Sequence, residues 1–152
     1  MKLVNKVVSF TVLTKFEDIK ADKIYSGRPT MSVIKIQRNT IIIFKNLRGR
    51  IMGNPDDIDS SLLLLPFKIT NIAIQTLTYT HTLPHEINLL KLSHPFHYEG
   101  ELFPSGYIKF HNCHVNIFHT GNLVLTEIRS HLHAIKIINT IESLIIPFYV
   151  IK

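Results

Sequence analysis

Nine histidines and one cysteine, Cys113, are the side chains here with the widest chemistry open to them. A metal site needs several ligands on one face and a carboxylate behind them. His81 and His85, His111 and His114, and His131 and His133 lie close in sequence. The last two stand two apart in a helical pattern and so diverge, and no nearby carboxylate completes the other pairs. Cys113 adjoins His114 in a strand pattern without a third group to orient a base, and there is no Gly-rich phosphate loop or GxSxG pattern. An enzyme is not expected, nor a metal or other cofactor. What recurs instead is amide, cation and ring. Asn5 and Asn71 each interrupt an apolar strand at an offset of about 66, and Lys35 and Lys109, like Phe44 and Phe118, recur 74 residues apart. These groups bind and orient a partner; they do not break bonds.

The elements that must carry them are written twice. Val33-Ile34-Lys35-Ile36 matches Tyr107-Ile108-Lys109-Phe110, and Ile43-Phe44 matches Ile117-Phe118. Gly49-Arg50-Ile51 returns as Gly121-Asn122-Leu123 at an offset of about 72, which predicts a turn about two residues longer in the first half. The second half instead carries about eight extra residues between its first strand and its Ile-Lys strand. Residues 1–67 form the first repeat and 68–152 the second, within one compact domain.

Apolar alternation predicts a strand over 3–12, a short helix over 16–24, strands at 31–37, 39–45 and 48–53, and a helix begun by Pro55-Asp56-Asp57 that Pro66 stops. The order then repeats: strand 69–80, helix 84–92, strands near 105–110, 113–119 and 122–127. A last helix follows, with Ile128, Leu132, Ile135, Ile138, Ile141 and Ile145 at spacings of three and four. Paired first strands would join both halves in one antiparallel sheet with helices on one face. The other face would be bare, yet Ile41–Phe44 and Val115, Ile117 and Leu123–Leu125 put apolar residues on both sides. Such a face needs a partner, or else it is covered in the fold or by a second copy.

Composition narrows the partner. The 152 residues carry 17 Lys+Arg against 11 Asp+Glu, a net charge of +6, which favours an anionic partner such as nucleic acid. Apolar residues at 45% give material for a core. The single cysteine excludes an internal disulfide and thiolate zinc modules, so a reducing compartment is expected. Asn5 and Lys6 interrupt the opening apolar run, and no stretch reaches membrane-spanning length, so an intracellular, soluble protein without a membrane partner is expected.

Three stretches carry a resemblance. Tyr98-Glu99-Gly100-Glu101-Leu102-Phe103-Pro104 resembles the Tyr-Glu-Pro-Glu-Leu-Phe-Pro stirrup of the TATA-box-binding protein family, differing at Gly100. Ile117-Phe118-His119-Thr120-Gly121-Asn122-Leu123-Val124-Leu125-Thr126 is similar to that family's Ile-Phe-x-Ser-Gly-Lys-Ile-Val-Leu-Thr hairpin, and Ile69-Thr70-Asn71-Ile72 to the strand that opens each family repeat. The resemblance covers nearly the whole chain. It implies an α+β, pseudo-twofold duplicated saddle: a curved antiparallel sheet with helices on its convex face.

The same resemblance implies binding and kinking of an AT-rich minor groove. Phe103 and Phe118 match one pair of wedges and Phe44 matches part of the other, while Pro29 stands where the family has its fourth Phe. Asn5 and Asn71 match the two central amides that meet the A·T acceptors. Val7, Met52, Ala73 and Val124 match the apolar floor, Ala73 being smaller than the usual Val, and Thr126 matches a polar floor residue whose first-half partner is Asn54. Lys35, Lys109 and Arg50 match phosphate-contacting cations. Glu99 and Glu101 match the contact with transcription factor IIB, and Lys136 lies on the helix offered to other regulators. The implied partners are double-stranded DNA, factor IIB and the RNA polymerase machinery, with action in the nucleus, or alternatively in a cytoplasmic viral factory or an archaeal cell. The departures fit a divergent member, such as one encoded by a large DNA virus. Two other readings stay open: an interaction protein or decoy that engages the basal machinery and binds DNA weakly, and an accessory domain of a nucleic-acid enzyme.

Overall fold

A computed structural model of the chain describes residues 1–19, 23–24 and 31–151. The chain forms two units, Val4–Thr76 and Leu77–Lys152 with Met1–Leu3. Both are α+β, built on antiparallel strands, as the alternating patterns predict.

In the first unit β1 (Lys2–Val12) alternates cleanly: Val8, Phe10 and Val12 are buried, while Asn5, Val7, Ser9 and Thr11 between them are half-buried. β2 (Lys23–Ile24), β3 (Met31–Ile36), β4 (Asn39–Phe44), β5 (Arg48–Gly53) and α1 (Ile58–Leu63) follow, then β6 (Ile69–Thr82), which runs on into the second unit. The hydrogen-bonded order is β2-β3-β4-β5-β1-β6. Ile34, Ile41, Ile51 and Val8 form one register row facing the core, closed by Ile58 of α1 and by Leu65. Phe10 lies across Gly49, where an added Cβ would come within 2.3 Å of the ring. A short polar chain ties α1 to the β3–β4 turn: Asn39 Nδ2 donates to Ser61 Oγ at 2.8 Å, and Ser61 Oγ donates to Gln37 Oε1 at 2.5 Å. Arg38 Nε meets Asp57 Oδ2 at 3.0 Å. Desolvation pulls the Asp57 carboxyl upward, but the Arg38 guanidinium outweighs it and holds the group below the usual carboxylate range.

The second unit orders its strands β6-β9-β8-β7, with β7 (Gly106–Lys109), β8 (His114–Ile117) and β9 (Asn122–Ile128). α2 (His131–Leu144) starts at Ser130, whose Oγ accepts from His133 N at 3.1 Å. Its buried stripe is Ala134, Ile137, Ile138 and Ile141, packed with Ile145 on Leu77, Tyr79, Val115, Leu123 and Leu125. The predicted stripe is therefore turned: Leu132 is 61% exposed and Ile135 points outward. Ile128 ends β9 and does not start the helix. A bulge between Leu77 and Tyr79 in the β6–β9 pairing, with Glu127 at φ 62, turns Ile128 into the core beside Leu125.

Two predicted helices fail. Over 16–24 the described residues hold one 3-10 turn, Phe16–Asp18, whose N-cap Lys15 makes no capping bond, and Lys23–Ile24 is strand. Over 84–92 there is only the turn Leu89–Lys91. Here the amides of Ile87 and Asn88 donate to His119 O and Phe148 O, so distant carbonyls take the bonds a helix would have used. The longer first-half turn is also overturned. Ile43 pairs Gly49 and Ile117 pairs Leu123, the same loop length at a constant offset of 74. Leu47, at φ 67, takes the left-handed place that Gly121 takes at φ 91. The structural partner of Thr126 is therefore Met52, since Thr40 pairs Met52 as His114 pairs Thr126; Asn54 is not its counterpart.

Candidate nucleic-acid interface

Side chains directly opposed across antiparallel strands share a face, so register alone assigns each residue to the helix side or the helix-free side. In the first unit, Lys35, Thr40, Met52 and Val7 form one helix-free row, and Val33, Ile42, Arg50 and Ser9 the next. Met31 with Phe44, and Thr11 with Arg48, lie beyond. These rows hold three cations, Lys35, Arg48 and Arg50, and no carboxylate. Asn5 continues the same side of β1 by alternation, its Oδ1 accepting from Lys6 N at 3.0 Å.

Asn71 breaks the regular strand with φ 55, a conformation Asn tolerates better than most residues. The kink brings its Nδ2 to 3.5 Å from Thr11 Oγ1, and Ser9 Oγ donates to Ala73 O at 3.3 Å. Asn71, Phe44 and Arg50 thus line one depression of about 580 Å³, with Ser9, Thr11 and Gln75. Ala73 is exposed in β6. Asn54 sits apart, its Oδ1 accepting from Asp56 N at 2.9 Å as a cap on the turn before α1. Pro29 lies outside the described residues.

In the second unit the helix-free rows are Tyr107, Asn116, Val124 and Thr80, and Lys109, His114 and Thr126. Thr126 Oγ1 donates to His114 O at 3.3 Å. Phe118 and Val124 line a depression of about 490 Å³ with Thr80, Thr82 and Asn122. Phe103 is not part of it. It is 61% exposed at the end of a tight turn in which Glu99 O accepts from the amides of Leu102 and Phe103 at 2.9 and 3.0 Å. That turn also leaves Glu99 and Glu101 exposed.

The register accordingly gathers most of the sequence-derived set on helix-free faces. Residues 68–147 match the family model described as Transcription factor TFIID (or TATA-binding protein, TBP). The chain belongs to the TATA-binding protein family. Methanococcus jannaschii TBP has the same fold, with a TM-score of 0.77 at 20% identity over 95% of this chain and 97% of that one. A sequence search of curated proteins gave no match. The TATA-binding protein family comprises transcription factors that bind DNA and work with the transcription machinery, and it is not a family of enzymes.

Sequence reasoning missed part of both TATA-binding protein-like faces. Thr11, Arg48 and Gln75 enter the first depression, and Tyr107, His114 and Asn116 make the second face more polar than expected. The alternation His114-Val115-Asn116-Ile117 was the available signal, since Val115 and Ile117 had to be core. No helix among the described residues is long and apolar enough to cross a membrane.

Proposed function

We propose that this chain is a transcription initiation factor that binds and kinks AT-rich promoter DNA through its helix-free sheet faces and recruits a transcription factor IIB-like protein. One observation carries the reading: strand register puts Phe44, Arg50, Lys35, Val7 and Met52 on the helix-free side of one unit, with Asn5 there by alternation and Asn71 by its contact with Thr11, and Lys109, Val124 and Thr126 on that of the other, with Phe118 there by alternation. Such a face offers amide donors for the acceptor-only edges of A·T pairs, rings and methyls for the floor, and cations for phosphate. Phe103 and Phe118 act as wedges of one unit, and Phe44 and Pro29 as those of the other. Glu99 and Glu101, exposed on one turn, offer paired carboxylates to a cationic partner surface. Action in the nucleus or a viral factory follows from that role.

The test is a fluorescence-anisotropy titration of a TATA duplex and a GC duplex over a salt series, with and without factor IIB. Tight, salt-sensitive binding that prefers TATA is expected. No preference for TATA, alone or with factor IIB, sinks the reading and leaves the interaction-protein alternative.

A further inference from the structure

We propose that Asn116, held by His114, is a base-reading amide that presents its NH₂ group to the duplex and excludes guanine at one step of the site. The inference rests on the minor-groove reading above and names a residue pair that deepens it. Val115 and Ile117 are fully buried on the helix side of β8, so His114 and Asn116 stand on the helix-free face, in the rows of Thr126 and Val124.

Asn116 is not free to turn. His114 Nε2 lies 3.0 Å from Asn116 Oδ1, and because an amide oxygen only accepts, the imidazole donates. The ring that donates is itself fixed. His114 stacks on Tyr107 with centroids 5.4 Å apart and planes at 17°, and Tyr107 stacks on His97 at 5.1 Å and 24°. With its oxygen turned to the imidazole, the amide keeps both N–H donors to offer.

In the minor groove an A·T pair shows acceptors alone, whereas a G·C pair adds the guanine 2-amino donor. A fixed donor therefore bonds A·T in either orientation and meets guanine donor against donor. The corresponding positions 74 residues earlier are Thr40 and Ile42, which cannot form such a pair. His114 is a positioning residue here, and Asn116 is the group that touches the base.

Inosine isolates the chemistry, because an I·C pair is a G·C pair without the 2-amino group. A scan placing A·T, I·C or G·C at each step, read by anisotropy, should find one step where G·C binds about tenfold more weakly than I·C. His114→Phe keeps a ring on Tyr107 but releases the amide oxygen. At that step it should shrink the G·C to I·C gap by about three- to tenfold. Adding Asn116→Val should abolish this relaxation. The readout is a ratio of two duplexes on one protein, so it does not depend on the fraction folded. A His114→Phe variant that weakens all duplexes equally, or leaves the gap untouched, overturns the proposal. TATA preference with no I·C to G·C gap at any step overturns this inference alone; absence of TATA preference overturns the minor-groove reading and takes this inference with it.

Discussion

Phe103 spends hydrophobic free energy against the folded chain, because a ring left 61% exposed gives up burial it could have had. Its worth lies in what it meets. Phe103→Ala should leave the melting temperature nearly unchanged, as surface changes away from packed features do within about 0.5 kcal/mol. The same change should weaken binding to an AT-rich duplex by about 1–3 kcal/mol, the scale of a ring on a base. Equal affinity in a titration would remove Phe103 from the wedge role. Cys113 is the opposite case. It is buried at 4% exposure, and burial, with a smaller push from Glu127, raises its thiol to about 11. Since the thiolate is the reactive form, maleimide at neutral pH should label the native protein far more slowly than the denatured one. Fast native labelling would contradict that environment.

At the scale of elements, the β4–β5 hairpin is tuned by one missing side chain. Gly49→Ala would drive a methyl into the Phe10 ring, and overpacking of this kind costs about 1–3 kcal/mol, readable as a lowered melting temperature. The strands were legible because alternation is local: β1, β5 and β9 start and end within a residue or so of where the pattern put them. The stretch over 84–92 was not, because the carbonyls that capture its amides lie about 30 and 60 residues away. The offset error at Gly49 has a related cause. Glycine was read as the mark of the turn, whereas Leu47 adopts the left-handed conformation and also packs on the core. On the candidate faces, Lys35, Phe44 and Phe118 were visible through repetition. His114 and Asn116 were not, since a residue pair present in one copy leaves no repeat to notice.

For the whole molecule, charge sets how strongly conditions matter. With a net charge of +6, binding to a duplex should fall steeply with added salt, and Lys35→Ala should reduce the slope of log affinity against log salt by about one. An unchanged slope would place Lys35 away from phosphate. Acid should loosen the fold at the Arg38–Asp57 contact. The folded carboxyl lies below its unfolded value, so its stabilisation is present above the ordinary carboxylate range and disappears as pH falls through the folded value. Arg38→Gln should flatten that part of a stability-against-pH curve, as measured by urea denaturation at successive pH values.

The constant 74-residue spacing from β3 to β5 and from β7 to β9 says which kinds of change the chain has absorbed. Side chains differ at most matched positions, from Thr40 and Ile42 against His114 and Asn116 to Leu47 against Gly121. Lengths do not. Gaining or losing one residue inside either three-stranded run would swap its inward and outward sides and push Lys35 or Lys109 into oil. The extra residues of the second half fall instead in the long connection from β6 to β7, which is held by the isolated bridges Ile87 to Tyr149 and His97 to Tyr107 and not by a continuous ladder. Copying errors in spelling are forgiven along these strands; errors in counting are forgiven only between them.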